Sequence, residues 1–213
     1  MMNYLKQNRH LLLLLYLPVY LAAFFIIDRI PAEHYVIRCS LDRLIPFNEY
    51  MVIPYALWFF WFPGWVLWFA WRSLEDDGAR EDFIKLCVVM FTGMTLCLIT
   101  YVIWPNAVDL REPIEASNLC ALAVQAIRAA DTPYGVCPSI HISTIVTEAL
   151  VIRDSRLPVL TPTVRIYSYV ITALITWSTL AIRQHSIIDV AAGALLALLL
   201  YAGYRSLRSL KAK

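Results

Sequence analysis

Apolar residues dominate six segments of the chain, and shorter polar or charged stretches separate these segments. Each segment is long enough, or nearly so, to cross a bilayer as an α-helix, which needs about 20 residues. The segments are approximately 11–27, 51–71, 83–104, 139–152, 164–182 and 187–204. This pattern predicts an all-α polytopic membrane protein, a bundle of six transmembrane helices. No repeat or linker interrupts it, so we treat residues 1–213 as a single membrane-embedded domain.

The composition agrees with a membrane location. Hydrophobic residues make up 60% of the chain and charged residues only 16%, with a mean hydropathy of +0.62. A soluble domain is rarely so apolar. The net charge is only +2 and the chain has no basic run, so we expect membrane lipids, and not nucleic acid, as its surroundings and partners.

The distribution of Lys and Arg predicts the orientation in the membrane. The N-terminus, 72–85, 153–165 and the C-terminus hold twelve of these residues, and the intervening connections hold six. Because cytoplasmic segments carry more Lys and Arg, both termini are expected in the cytoplasm, as in a bacterial plasma membrane. The connections 28–50 and 105–138 then lie outside.

These two outer connections are long enough to hold structure of their own. Apolar positions scattered among the charges of 28–50 predict a helix lying in the membrane interface. In 105–138, Ser117 is suited to cap a short helix that ends at Ala130. A loop of this length usually covers a site or is disordered.

A polar stretch, 183–189, interrupts the apolar pattern between the last two segments. His185 and Asp189 are four residues apart and would share a face if this stretch opens a helix. A carboxylate there would hold one imidazole nitrogen protonated and turn the other outward as a nucleophile or base. Arg183 supplies a fixed cation suited to a phosphate. The alternative is an ordinary interfacial histidine paired with an aspartate.

A second polar cluster lies where the longest outer connection meets the fourth segment. Pro138 and Ser139 are suited to start a helix, which places His141 in its first turn. The fourth and sixth segments begin on the same membrane side, so His141 and His185 should lie at similar depth. Arg111 is in the connection on that side. Helix N-termini and arginines together favour a phosphate, so this arrangement predicts a phosphoryl site.

These residues resemble the phosphatidic acid phosphatase type 2 superfamily of membrane phosphatases and lipid phosphotransferases. Its three motifs read Lys-x6-Arg-Pro, Pro-Ser-x-His and Ser-Arg-x5-His-x3-Asp. Residues 138–141 match the second motif completely, and His185 and Asp189 match the end of the third, with Ser178 at the position of its Ser. The six-span plan is similar too, so the resemblance covers nearly the whole chain.

The sequence also departs from the family pattern. The third motif's Arg is replaced by Thr179, and Arg183 comes one helical turn later, where it would share a face with that position. The first motif is degenerate, with Trp104 at the position of the Lys when Arg111 is taken as the Arg. A basic residue and Gln before the histidine are similar to the inositol phosphorylceramide synthase branch, so either water or an alcohol could accept the phosphoryl group.

The resemblance implies a mechanism and a substrate class. His185 would be the nucleophile that forms a phosphohistidine, Asp189 would orient it, and His141 would act as acid and then base. Arg183, Ser139 and Arg111 would bind the phosphate, with no metal or other cofactor. We expect a phosphatase acting on a lipid phosphate or pyrophosphate. The alternatives are a phosphotransferase acting on a phospholipid and a non-catalytic lipid-phosphate binder or transporter, and self-association stays open.

Three further features leave alternatives open. Glu148 lies deep in the fourth segment, where it either pairs with a hydroxyl of another span, which we favour, or faces a head-group cavity. Cys120 and Cys137 either form a disulfide in an oxidising compartment or remain thiols. Gly193 and Ala197 have the four-residue spacing that permits close helix packing.

Overall fold

Helices make up most of the computed structural model, which describes residues 8–211. A 3₁₀ segment, Arg9–Leu15, leads into the first of the α-helices, and two more 3₁₀ turns, Ser40–Leu44 and Glu49–Met51, precede the second. The α-helices of the described part are α1 (Tyr16–Ile27), α2 (Val52–Arg72), α3 (Asp77–Ile103), α4 (Leu119–Ala130), α5 (Ile140–Asp154), α6 (Pro162–Ala181) and α7 (Ile187–Lys211). The prediction of an all-α fold is therefore confirmed.

Four helical stretches in the described part are long and apolar enough to cross a membrane, which is compatible with an integral membrane protein. They are Arg9–Ile27, Glu49–Arg72, Asp77–Ile103 and Ile187–Leu210. The other two predicted spans also form helices. However, α5 has only 15 residues, fewer than the about 20 that a full span needs, and α6 has 20 residues but is less apolar. The count of six spans stays a prediction.

Helix α5 forms the centre of the bundle and packs against α3, α6 and α7. Eleven of its 15 residues are buried, so it has no continuous exposed face. A Cβ on Gly193 of α7 would lie 2.5 Å from the Ser139 carbonyl oxygen at the start of α5. Only glycine permits this approach, and Ala197 one turn later is also fully buried. The predicted close packing at these small residues is confirmed.

The connections 28–50 and 105–138 meet over the starts of α5 and α7. Strands β1 (Tyr35–Val36) and β2 (Asn106–Ala107) pair in parallel and join them. The interfacial helix predicted for 28–50 is absent, because that segment forms β1 and the two 3₁₀ turns instead. Its polar side chains are used in contacts with the rest of the protein. One of them, Asp42, is only 2% exposed.

The short helix α4 covers the start of α2 and the end of α6. Its Val124 is buried with Tyr55 and Ile182 in a separate apolar cluster. The helix begins one residue later than predicted, because the side chain of Asn118, and not that of Ser117, accepts the Ala121 N–H at 2.9 Å. All five cysteines are free thiols, so the Cys120–Cys137 disulfide does not form.

Candidate active site

The start of α5 is held in place by hydrogen bonds from the outer connection. Asn106 is fully buried, and its side-chain oxygen accepts the N–H groups of Val136 and Cys137 at 2.9 and 2.8 Å. The Tyr101 hydroxyl donates to the Pro138 carbonyl at 2.7 Å. Ser139 then caps the helix by accepting the Ile142 N–H at 3.4 Å. This arrangement fixes His141 in the first turn of α5, as predicted.

A sharp reversal of the chain positions His185 just before α7. Helix α6 ends at Ala181, and Arg183 takes a left-handed conformation with φ of 62°. The N–H groups of Gln184 and His185 both donate back to the Thr179 carbonyl, at 3.0 and 3.2 Å. His185 is therefore not part of the helix, unlike the arrangement on which the sequence prediction rested. Asp189 in the first turn of α7 reaches back to it.

Two histidines and an aspartate form a continuous polar chain between the two helix starts. The Nδ1 of His185 lies 3.3 Å from the Asp189 Oδ2, which also accepts the Ser186 N–H at 2.8 Å. The Nε2 of His185 lies 3.3 Å from His141 Nδ1 and 3.1 Å from the Ser139 hydroxyl. The two histidines predicted from the sequence, 44 residues apart in the chain, therefore contact each other. The contact involves His185 Nε2, the nitrogen predicted to act as the nucleophile.

Asp42 supports this site from the connection between α1 and α2. Its carboxylate accepts the Ser186 hydroxyl at 2.8 Å, the Ile187 N–H at 2.9 Å and the Cys39 N–H at 2.7 Å. Burial raises the pKa of Asp42, but these hydrogen bonds outweigh burial and leave the pKa below its ordinary value. Asp42 therefore acts as a charged cap for the start of α7.

The three residues predicted to bind phosphate are placed differently from one another. Ser139 is fully buried with its hydroxyl against His185. Arg111 reaches the same cavity as the histidines, where its guanidinium donates to the Gln184 side chain, the Asp131 carbonyl and the Thr132 carbonyl. Arg111 thereby joins the outer connection to the polar stretch that precedes α7.

Arg183 does not line that cavity. Its Nη1 donates to the Asp42 carbonyl at 2.8 Å, on the side of the outer connection. The prediction assumed that Arg183 continues α6 and shares a face with Thr179, but its left-handed backbone ends that helix. The helical geometry assumed for Arg183 is therefore wrong, and its phosphate-binding role stays a prediction. Arg111 is the arginine that lines the cavity.

A cavity of about 430 Å³ extends from the histidines into the bundle. Aromatic and aliphatic residues of α1 and α2, such as Phe24, Phe59 and Phe62, line most of its length. Its polar end contains His141, His185, Gln184, Arg111 and Asp131. An apolar cavity with a few polar groups at one end suits an amphipathic ligand with a charged head and an apolar tail.

Asp131 and Gln184 also line this cavity, although no sequence pattern marks either of them as a site residue. Burial raises the pKa of Asp131 above its ordinary value, although the charge of Arg111 opposes that shift. Within residues 8–211 its carboxylate oxygens accept no hydrogen bond. Gln184 is only 2% exposed. Asp131 directly follows α4, and a charged loop residue is normally solvated, so nothing local indicates that it is half-buried.

Glu148 differs from the predicted structural pairing. It is fully buried in α5, and neither of its carboxylate oxygens has a hydrogen-bond partner within the described part of the chain. It is not among the residues that line the cavity of the histidines. In the same part of the chain, no group of three or more His, Cys, Asp or Glu side chains is arranged to hold a metal ion.

Neither a scan against protein-family models nor a search of curated proteins finds a match for this chain.

Proposed function

We propose that this chain is a six-span integral membrane enzyme of the phosphatidic acid phosphatase type 2 superfamily, with its site on the extracytoplasmic side. It hydrolyses a lipid phosphate or pyrophosphate through a phosphohistidine. The observation that carries the proposal is the Asp189–His185–His141 chain at the polar end of an apolar cavity. A nucleophile, its orienting acid and a proton donor are combined there with space for a lipid chain.

In the first step, the Nε2 lone pair of His185 attacks phosphorus. The bond between phosphorus and the lipid oxygen breaks, and a protonated His141 transfers its Nδ1 proton to that oxygen, which leaves as an alcohol or, for a pyrophosphate, as a phosphate. Asp189 accepts the Nδ1–H of His185 and stabilises the positive charge that develops on the ring. The 3.3 Å between the two histidines keeps acid and nucleophile at one phosphorus atom.

In the second step, neutral His141 removes a proton from water while the water oxygen attacks phosphorus. The bond between phosphorus and Nε2 breaks, which returns the electron pair to His185, releases phosphate and leaves His141 protonated for the next cycle. Ser139 and the free N–H groups at the start of α5 are suited to the phosphoryl oxygens. The charge of Arg111 at the cavity attracts the same group, whereas Arg183 has no role in this scheme.

A phosphotransferase is the second candidate, and Asp131 favours it. Its carboxylate lies at the polar end of the cavity with no hydrogen bond to the described residues. An alcohol could donate its hydroxyl hydrogen there, whereas an anionic phosphate would be repelled. The second step would then pass the phosphoryl group to that alcohol and not to water.

The test uses the purified protein in detergent with phosphatidic acid, a polyprenyl pyrophosphate or phosphatidylinositol, each with and without diacylglycerol or ceramide. Free phosphate that disappears in His185→Ala establishes the phosphatase, and a new phospholipid formed only with an acceptor establishes the transferase. Acid-labile, base-stable labelling of His185 by a ³²P-labelled lipid would identify the intermediate. Binding of these lipids without either product would overturn catalysis and leave a non-catalytic binder.

The orientation has its own test. Reporters active only in the cytoplasm or only outside, fused after residue 213, distinguish the two possible topologies. We expect cytoplasmic activity, because the side with twelve Lys and Arg residues should face inwards. Activity of the external reporter would place the histidines on the cytoplasmic side and contradict the proposed location.

A further inference from the structure

Tyr55 occupies the side of His141 that faces away from His185. It lies in the first turn of α2, is 1% exposed, and its hydroxyl is 3.1 Å from the His141 Nε2. The centroids of the two rings are 5.1 Å apart. In the sequence, Tyr55 resembles its apolar neighbours in the span, and no pattern marks it as a site residue. Both ring nitrogens of His141 are consequently occupied, one by a phenol and the other by an imidazole.

The hydrogen positions along this chain follow from its two ends. As a carboxylate, Asp189 can only accept, so His185 carries its proton on Nδ1 and presents the Nε2 lone pair. The Ser139 hydroxyl also reaches that lone pair, at 3.1 Å, but a second lone pair on His141 Nδ1, 3.3 Å away, would be repelled by it. His141 therefore carries its hydrogen on Nδ1, which leaves its own Nε2 as an acceptor. The Tyr55 hydroxyl must therefore donate to Nε2. When both histidines are neutral, each donor in the series points towards Asp189.

We propose that Tyr55 is a positioning residue that reserves the Nδ1 of His141 for proton exchange. The inference rests on the proposed function, since it assigns a role within that reaction. A phenol hydroxyl both donates and accepts, so it satisfies Nε2 whether that nitrogen carries a proton or not. Tyr55 therefore remains hydrogen-bonded in every protonation state of His141, and the Nδ1 facing the nucleophile is the nitrogen that exchanges protons.

The proton balance of the cycle uses both roles of the hydroxyl. In protonated His141, Nε2–H donates to the Tyr55 oxygen while Nδ1–H faces the leaving oxygen. Loss of the Nδ1 proton to that oxygen leaves neutral His141 with its hydrogen on Nε2, still bound to Tyr55. The free Nδ1 lone pair then takes the proton of the water or alcohol that attacks the phosphohistidine. Tyr55 itself neither gains nor loses a proton over the cycle.

A second aromatic residue holds the histidine ring independently of this hydrogen bond. The ring centroid of Trp58 lies 4.3 Å from that of His141, and its indole N–H donates to the Thr144 hydroxyl at 3.0 Å. Removing only the Tyr55 oxygen leaves this packing intact. A Tyr55→Phe variant therefore changes the proton distribution on the histidine while its ring remains in position.

The experiment compares Tyr55→Phe with Tyr16→Phe as a matched control. Tyr16 also uses its hydroxyl between helices, donating to the Phe91 carbonyl at 3.0 Å, but it does not line the cavity of the histidines. We expect Tyr55→Phe to lower kcat roughly 10- to 100-fold, which does not exceed the usual contribution of general acid–base catalysis. KM should change little, and the pH profile of kcat should be altered. Tyr16→Phe should keep wild-type kcat, and equal thermal unfolding of both variants would exclude misfolding.

The tautomer of His141 is read directly by ¹⁵N NMR of histidine-labelled protein in bilayers. The chain has only four histidines, so a His141→Gln sample assigns the signal. At a pH where the ring is neutral, we expect hydrogen on Nδ1 in the wild type and a shift towards Nε2 in Tyr55→Phe. An unchanged tautomer, or wild-type kcat and pH profile in Tyr55→Phe, would overturn the inference. A wild type with no turnover would refute the proposed function alone, and the NMR comparison would still decide the role of Tyr55.

Discussion

Two buried acids, Asp189 on α7 and Glu148 on the adjacent α5, occupy very different surroundings. Asp189 accepts the Ser186 N–H and contacts His185, next to a network that continues through His141 to Tyr55. Glu148 lies about 10 Å along α5 from His141 at helical rise and has no hydrogen-bond partner within residues 8–211. Both side chains are fully buried. Within residues 8–211, Asp189 therefore has hydrogen-bond partners at one carboxylate oxygen, Oδ2, whereas both oxygens of Glu148 have none.

The difference shows how the cost of burying an acid is met. A buried carboxylate is tolerated when donors are fixed around it, and at Asp189 the Ser186 N–H and the His185 ring, just before α7, supply donors to Oδ2. Helix interiors offer no such donors, because their N–H groups are already used. A polar group in the first turn can thus be charged and functional, whereas the same group two turns deeper only costs stability unless a ligand reaches it. The following predictions test this contrast.

The largest effect is expected from Asp189→Asn, which keeps the shape but removes the acceptor that orients His185. Turnover in the lipid assay should fall roughly 10²- to 10⁴-fold, because the amide favours the wrong tautomer of the histidine. Asp154→Asn, at the opposite end of α5, is the control and should retain turnover, because its half-buried carboxylate pairs with Arg153 and Arg205 far from the histidines. Full activity of Asp189→Asn would contradict the assignment of His185 as the nucleophile.

The second effect concerns stability at the same end. Asp42→Asn replaces an acceptor of three hydrogen bonds, so the free energy of unfolding in detergent should fall by about 2–4 kcal/mol. Because the folded-state pKa of Asp42 lies below its ordinary value, its contribution is present above that ordinary value and is lost as the pH falls through the lowered one. The free energy of unfolding of Asp42→Asn should therefore lack the decrease at low pH that protonation of Asp42 causes in the wild type. Asp109→Asn, on the exposed Arg38 pair, should change little.

A third and smaller effect separates the two arginines. Arg111→Gln should lower kcat/KM about 10- to 100-fold, because it removes the positive charge at the cavity and the contact with Gln184. Arg183→Gln should leave kcat/KM within about threefold and lower the unfolding free energy by about 1 kcal/mol, through loss of its bond to the Asp42 carbonyl. Equal activity losses in both variants would contradict the assignment of Arg111 as the cavity arginine.

The smallest effect, with the opposite sign, is expected at Glu148. Glu148→Met replaces an uncompensated buried acid by an apolar chain of similar length, so the unfolding free energy should rise by about 1–2 kcal/mol with turnover unchanged. Thermal unfolding and the lipid assay measure the two quantities. Thr147→Val, at the preceding position, is a control for the loss of one satisfied side-chain hydrogen bond and should not stabilise the protein. Destabilisation or lost turnover in Glu148→Met would mean that a bound molecule compensates this acid.

Much of the fold could be predicted from the chain alone. The apolar pattern located the helices, since intrahelical hydrogen bonds and apolar faces are properties of short segments. The spacing of Pro138, Ser139 and His141 predicted a capped helix start, which the structure has. Counting crossings predicted that His141 and His185 lie on one side, and they lie 3.3 Å apart. Local pattern and the parity of crossings sufficed for these features.

The rest depended on contacts between distant parts of the chain. Tyr55 is 86 residues from His141, and Asp42 is 144 residues from Ser186, so no local pattern connects them. The left-handed backbone of Arg183 ends α6, and its side chain binds the Asp42 carbonyl away from the cavity. Arg111 lies at the cavity and donates to the Gln184 side chain there. Spacing therefore determined by itself which side chains carry the candidate chemistry. Only the tertiary structure decided which arginine, tyrosine and aspartate surround them, because burial and hydrogen-bond partners are set by packing between helices.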